Sequence, residues 1–170
     1  QITQHAYFNL YRKIIGVTGT IGSEDDEKLL MNGYKVNIFK FPRNYISQLE
    51  VYLKKRPDSI QNIFNMVSNE ITKETNNGRP VIVILDSIKC ADDFIKSHKD
   101  LNAQKITAED VITDRNSIKN AGNAKSVTVA TLAVGRGVDI IVTNESLEAG
   151  GLHVIIPMCM KNQRSLEQAV

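Results

Sequence analysis

The sequence contains no tryptophan, only two cysteines and four prolines among its 170 residues. Cys90 and Cys159 lie far apart, and neither belongs to a CxxC or CxxH pair. A structural disulfide, a zinc site and a thiol nucleophile are therefore disfavoured, and buried or half-buried free thiols in a reducing compartment are expected. The sequence predicts no metal site.

Long apolar runs and a strong net charge are also missing. No apolar run approaches the roughly 20 residues that cross a bilayer, and no signal peptide is visible. The chain opens on Gln1, as a mature or excised piece would. Its net charge is +2 with both signs interspersed, so composition indicates no nucleic-acid face. With 42% hydrophobic and 24% charged residues it has the composition of a globular domain, not of a disordered or fibrous chain.

The first third of the chain is predicted to contain two helices and two short strands. A helix is expected over residues 1–15. A second is expected from Ser23, whose hydroxyl can cap the acidic turn that follows, to Gly33. Alternating apolar residues predict a strand over 34–39 and a weaker one near 49–53.

From Pro57 onwards, helices and strands alternate. Apolar residues at the helical period predict a helix from Pro57 that ends at 76–78. The continuous β-branched run Val81–Leu85 predicts a strand covered on both faces. Further helices are expected over 87–97, 108–120 and 164–170, and further strands over 101–103, 126–130 and 152–156. This alternation predicts an α/β domain with a parallel sheet between two helix layers.

Isolated polar and charged residues carry less information. The three histidines, His5, His98 and His153, are far apart in sequence, and His153 is expected in the core because it falls within a predicted strand. The pair Asp92-Asp93 is expected on a helix surface. No Ser-His-Asp order indicates a hydrolase.

The loop after the 126–130 strand is the most informative stretch, because ligands of open α/β sheets bind outside the carboxyl ends of the strands. Gly135 and Gly137 free the backbone on both sides of Arg136, whose planar guanidinium suits phosphate. Asp139 could accept from a ribose hydroxyl, orient Arg136 or hold a metal-bound water. Taken alone, Gly-Arg-Gly is better explained as a tight turn with an arginine in solvent.

The wider sequence around this loop resembles the motor core of SecA, the bacterial preprotein translocase ATPase. Residues 127–140, which end in GRGVDI, resemble helicase motif V, and GGLHVI at 150–155 resembles the strand that follows it. Further similar stretches occur in family order at 7–20 (YFNLY and GVTGT), 41–44 (FPRN), 78–88 (GRPVIV and SI) and 101–103 (LNA).

The resemblance implies a RecA-like (P-loop NTPase-type) three-layer sandwich. Residues 34–170 would be the second motor lobe, and residues 1–33 a helical lead-in and lobe junction. The chain has no GxxxxGK[ST] motif. ATP or ADP with Mg²⁺ would therefore be held by a first lobe of the parent protein, and no tightly bound nucleotide is expected on this chain alone.

The resemblance also assigns the site residues. Arg136 is the implied catalytic residue at the phosphates, and Gly135, Gly137, Asp139 and Gln168 join it in nucleotide binding. Gln168 and the pair Gln163-Arg164 align with the opening of motif VI, and the arginine finger of that motif would lie beyond Val170. The chain alone is therefore not expected to hydrolyse ATP.

The implied partners are the first RecA-like lobe, a polypeptide substrate and a membrane protein-conducting channel, with no nucleic acid. The implied location is the cytoplasm, peripheral to a membrane. The chain departs from the family at Leu132, Val138 and Gln163, which replace an amide, a hydroxyl and an arginine. A degenerate, non-catalytic protein-interaction module is therefore the alternative. A helicase lobe is a third possibility, opposed by the GGLHVI and VTGT segments and by the absence of a basic stripe.

Overall fold

The computed structural model describes residues 2–42, 44, 46, 48–52, 59–107, 115–131, 134 and 139–157. The described residues fall into two compact units, one within residues 1–54 and the other within residues 55–160. The predicted division of the chain after residue 33 stays a prediction.

The described residues of the first unit contain two helices, α1 (Gln4–Phe8) and α2 (Glu24–Tyr34). The start of α2 is a capping box: the Asp26 amide donates to the Ser23 hydroxyl at 3.4 Å, and the Ser23 amide donates to the Asp26 carboxylate at 2.9 Å. Each side chain satisfies an amide that has no partner within the helix. The predicted capping role of this acidic run is confirmed.

Three predictions for the first unit are wrong. Helix α1 is much shorter than 1–15, and none of its residues is buried, so no packing stabilises a longer helix. Residues 35–39 form no strand, although Val36 and Ile38 are half-buried between exposed neighbours. Among the described residues no strand lies beside this segment, and an extended segment without a partner has no ladder of hydrogen bonds. Residues 49–52 likewise form no strand.

The second unit is built on one four-stranded parallel sheet with strand order β2-β3-β1-β4. The strands are β1 (Val81–Leu85), β2 (Gln104–Ile106), β3 (Val127–Thr131) and β4 (His153–Ile155). All five residues of β1 are buried, as its β-branched run predicted. Strand β2 begins after the predicted 101–103, because a 3-10 turn (Lys99–Leu101) and the left-handed Asn102 (φ 47°) precede it.

Four helices lie among the described residues of the second unit. They are α3 (Ile60–Asn76), α4 (Ile88–Ser97), α5 (Arg115–Asn120) and α6 (Asn144–Glu148). The predicted starts of α3 and α4 are confirmed to within a few residues, and the side chains of Ser59 and Ser87 cap them. Helix α6 was not predicted. Residues 108–114 and the predicted 164–170 helix lie outside the described residues.

The core lies on both faces of the sheet. Phe64 of α3 and Phe94 of α4 pack with Val83 against one face. Ile84 and Ile106 on the opposite face pack with α5, through Ile118. The side chains of β1 alternate between these two clusters, so the predicted parallel α/β sandwich is confirmed and agrees with a RecA-like fold. In the described part of the chain, no helix has the length and apolar character needed to cross a membrane.

Candidate functional site

The carboxyl ends of β1 and β3 lie side by side. The two strands pair in parallel, with Leu85 opposite Thr131. Asp86 therefore leaves β1 at the edge of the sheet from which the chain leaves β3 towards residues 135–139. Ligands of open α/β sheets bind at this kind of edge, so the predicted loop begins where a nucleotide could reach it.

Both flanks of the 135–138 stretch are attached to the same core. The Val134 amide donates to the Thr131 carbonyl at 2.9 Å, which forms a tight turn directly after β3. Val134 is 4% exposed within the cluster on the α5 face of the sheet, and Ile140 packs against that same cluster. Val134 and Ile140, the described residues on either side of 135–138, thus pack against one core.

Of the predicted site residues, Asp139 is the one that the structure describes, and its side chain is exposed. Gly135, Arg136, Gly137 and Gln168 lie outside the described residues, and their roles stay predictions. The departures Leu132, Val138 and Gln163 lie outside them too.

The segment that follows the loop is hydrogen-bonded to Gly122, which lies in the turn between α5 and β3. Its carbonyl oxygen accepts hydrogen bonds from the Thr143 amide at 3.1 Å and from the fully buried Ser146 hydroxyl at 3.0 Å. A Cβ atom at Gly122 would lie 2.0 Å from the Ile141 carbonyl oxygen. The sequence analysis did not identify this contact, since a lone Ala-Gly-Asn turn carries no signal for it.

The start of α4 supplies further polar groups to the carboxyl edge. Ser87 caps the helix by accepting from the Cys90 amide at 3.3 Å, and Asp86 before it is exposed. Cys90 is a half-buried free thiol, as predicted. Burial raises the pKa of the Cys90 thiol, and the negative charges of Asp86 and Asp93 raise it further. A helix N-terminus ordinarily lowers a cysteine pKa, so burial and the two carboxylates prevail here.

Cys90 is therefore expected to react slowly with a disulfide reagent at about pH 8, since the thiolate is the reacting form. Asp86→Asn removes the nearest negative charge and should raise the rate several-fold in a Cys159→Ser background. Asp100→Asn, which removes an exposed carboxylate elsewhere, serves as the control. Equal rates in the Asp86 and Asp100 variants would show that Asp86 does not act on the thiol.

The Thr18-Gly19-Thr20 segment lies in the first unit and makes local hydrogen bonds. The Thr18 hydroxyl donates to the Thr20 carbonyl at 2.8 Å, and the Gly22 amide donates to the Thr20 hydroxyl at 3.3 Å. These contacts are those of a local turn.

For His153 and the pair Asp92-Asp93, the sequence predicted a core and a surface position, respectively, but not the neighbouring residues. His153 lies at the start of β4 and is half-buried, next to two glutamates of α3. Asp92 forms an ion pair with Lys105 at 2.7 Å, and the hydrogen bond from Lys105 holds the pKa of Asp92 below its usual value. The aspartate pair is thus a surface pair as predicted, and it links α4 to β2.

The comparisons with known proteins all indicate the same family. Residues 51–154 match the SecA P-loop domain. The chain is 36% identical over 165 residues to protein translocase subunit SecA of Heliobacterium modesticaldum and 35% identical over 161 residues to that of Helicobacter hepaticus. Each alignment covers 91% of this chain and 18% of the relative. Protein translocase subunit SecA 2 of Magnetococcus marinus is 26% identical over 166 residues, which are 96% of this chain and 25% of that protein.

The chain thus spans no more than 25% of the length of these three relatives. The family match extends from the residues before α3 into β4 and so contains the described sheet except for Ile155. It confirms the resemblance that the GRGVDI and GGLHVI segments indicated. This chain belongs to the SecA P-loop domain family.

Proposed function

We propose that this chain is the second nucleotide-binding lobe of a SecA-like, ATP-driven protein translocase. In this proposal it contributes the motif V loop to an ATP site that another lobe completes, and it is inactive alone. The observation that carries the proposal is the pairing of Leu85 with Thr131, together with the two core anchors at Val134 and Ile140. These contacts support a position for the Gly135–Asp139 loop at the carboxyl edge, beside Asp86.

Each loop residue has a role that follows from its chemistry. The Arg136 guanidinium donates to phosphate oxygens and offsets the negative charge that develops during phosphoryl transfer. Gly135 and Gly137 keep the backbone clear of the nucleotide. The exposed carboxylate of Asp139 accepts from a ribose hydroxyl or orients Arg136. Gln168 adds an amide from the motif VI side.

The residues present fit the outer wall of an ATP site and not its phosphate cradle. The chain lacks GxxxxGK[ST], so the cradle and the Mg²⁺ ligands come from the other lobe. ATP hydrolysis supplies the free energy for movement. This lobe binds the exposed side of the nucleotide and closes on it. That closure moves the attached polypeptide substrate. The further partners in this proposal are the first lobe and a protein-conducting channel.

The proposal is tested by ATP hydrolysis with and without a Walker A lobe. The 170-residue chain alone is expected to show no hydrolysis above buffer and weak nucleotide binding. In the longer protein that carries both lobes, Arg136→Ala should lower kcat about 100-fold, as for loss of one donor to a developing oxyanion. Lys119→Ala, an exposed cation on α5, is the control and should leave kcat unchanged. Hydrolysis by the chain alone, or full activity of Arg136→Ala, would overturn the proposal.

A non-catalytic protein-interaction module is the second candidate, and exposed apolar side chains of the first unit favour it. Val17 is 99% exposed, Ile46 94% and Phe41 85%. Large exposed apolar side chains are typical of protein-binding surfaces. If the longer protein binds polypeptide equally well with and without nucleotide and hydrolyses no ATP, this second function replaces the first.

A further inference from the structure

Three potential metal ligands meet at the amino edge of the sheet, opposite the proposed nucleotide edge. Glu70 and Glu74 lie one turn apart on α3, and His153 begins β4. Parallel pairing places His153 opposite Val81, the first residue of β1. The side chains of Glu70, Glu74 and His153 are 17%, 6% and 18% exposed, so bulk water competes weakly for them.

The distances among the three side chains suit a shared cation. His153 Nε2 lies 3.7 Å from Glu70 Oε1, and His153 Nδ1 lies 4.0 Å from Glu74 Oε2. One ligand atom from each residue lies within 4.8 Å of the others. Tetrahedral zinc with ligands at 2.0–2.2 Å holds its donor atoms roughly 3.3–3.6 Å apart. Side-chain shifts of about 1 Å would therefore bring one imidazole nitrogen and one oxygen of each carboxylate around a single ion.

A cation already lies between the two carboxylates. The Lys73 ammonium is 3.1 Å from Glu74 Oε1 and 3.7 Å from Glu70 Oε1. The Lys73 side chain is 64% exposed, so it can move into water at little cost. Two carboxylates thus lie beside one positive charge, which an exposed side chain supplies.

Arg79 and Lys73 contact different oxygens of the Glu74 carboxylate. Its Nη1 donates to Glu74 Oε2 at 3.0 Å, and its Nε donates to the Gly151 carbonyl at 3.0 Å. Glu74 Oε1 instead faces the Lys73 ammonium, which also lies near Glu70 Oε1. Burial alone would raise the pKa of Glu74. The Lys73 hydrogen bond and the charges of His153, Lys73 and Arg79 outweigh burial, so the pKa of Glu74 lies below its usual value and the carboxylate is available as a ligand.

We propose that Glu70, Glu74 and His153 bind a divalent transition-metal ion of the Zn²⁺ class, which displaces the Lys73 ammonium and links α3 to β4. Two carboxylates and one imidazole are a ligand set that zinc accepts, with water in the fourth position. The site is separate from the nucleotide edge, so it does not depend on the proposed ATP function. The sequence predicted no metal site because the histidine is far from the two glutamates in the chain.

The test is a titration of the 170-residue chain with ZnCl₂, followed by calorimetry. Glu70→Gln and His153→Gln are each expected to weaken zinc binding at least about tenfold, since each removes a ligand. Lys73→Met should strengthen it several-fold, because the competing ammonium is removed. Glu148→Gln, His5→Gln and Lys89→Met are the matched controls outside the cluster, and they should bind zinc as the unchanged chain does.

Titration with Co²⁺ separates this site from binding at the cysteines, since thiolate ligation gives a near-ultraviolet charge-transfer band that imidazole and carboxylate do not give. Binding without that band, weakened in both ligand variants and strengthened in Lys73→Met, supports the site. No heat at millimolar zinc, unchanged binding in His153→Gln, or weaker binding in Lys73→Met overturns it. Because Lys73→Met removes only an exposed side chain, its result is informative even if His153→Gln does not fold.

Discussion

Replacement of Phe94 by alanine is expected to lower the free energy of unfolding of the second unit by about 3–5 kcal/mol. Phe94 is completely buried in α4, in the cluster between the helices α3 and α4 and the sheet. Its ring packs edge-on against Phe64 with centroids 5.2 Å apart, and it stacks on His98 at 4.9 Å. Alanine would remove both ring contacts and leave a cavity that two packed elements cannot close.

Urea denaturation followed by circular dichroism measures this loss. Phe94→Leu keeps most of the volume and should cost less than about 1.5 kcal/mol. Phe41→Ala removes a ring that is 85% exposed in the first unit and should change stability by no more than about 0.5 kcal/mol. If Phe94→Ala cost no more than Phe41→Ala, the described core would be wrong.

The helices and strands of the second unit could be predicted because the apolar residues in its sequence are the residues that become buried. In α3, the apolar residues that predicted a helix include Ile63, Val67 and Ile71, and all three are buried. In β1, five consecutive β-branched or leucine residues predicted burial on both faces, and all five are buried. A local pattern is sufficient where every apolar residue has a neighbouring element to pack against.

The first unit was poorly predicted because its local patterns lack such neighbours. Residues 34–39 alternate as a strand would, and the half-buried positions follow that alternation. A strand also needs a hydrogen-bonding partner, and sequence alternation carries no information about one. Helix α1 likewise has helical spacing but buries no residue, so the predicted longer helix is not formed.

The candidate site divides in the same way. The Gly135–Asp139 loop was a candidate from sequence because its residues are contiguous and resemble a family motif, and its role stays a prediction. The cluster of Glu70, Glu74 and His153 could not, because it exists only once β4 pairs with β1 and α3 packs on the sheet. The two edges of the parallel sheet therefore differ in how far sequence can predict them. The candidate residues at the carboxyl edge belong to one contiguous loop, whereas this cluster at the amino edge is formed by residues that are distant in sequence.

Replacement of Gly122 by alanine is expected to cost about 3 kcal/mol of unfolding free energy, at the upper end of the range for overpacking. The new Cβ would lie 2.0 Å from the Ile141 carbonyl oxygen and 2.8 Å from its carbonyl carbon. Both are backbone atoms, so relief requires the segment around Ile141 to shift. That shift would strain the hydrogen bonds that the Gly122 carbonyl accepts from Thr143 and Ser146.

Two further variants separate the steric clash from other causes. Gly16→Ala places a Cβ in open space at a glycine without positive φ, and it should change stability by no more than about 0.5 kcal/mol. Ser146→Ala removes one hydrogen bond to Gly122 and should cost about 1 kcal/mol. If Gly122→Ala costs no more than Ser146→Ala, the close approach of Ile141 is not required for stability. A cost clearly above both variants shows that this glycine holds the chain in place on its return from the Gly135–Asp139 loop to β4.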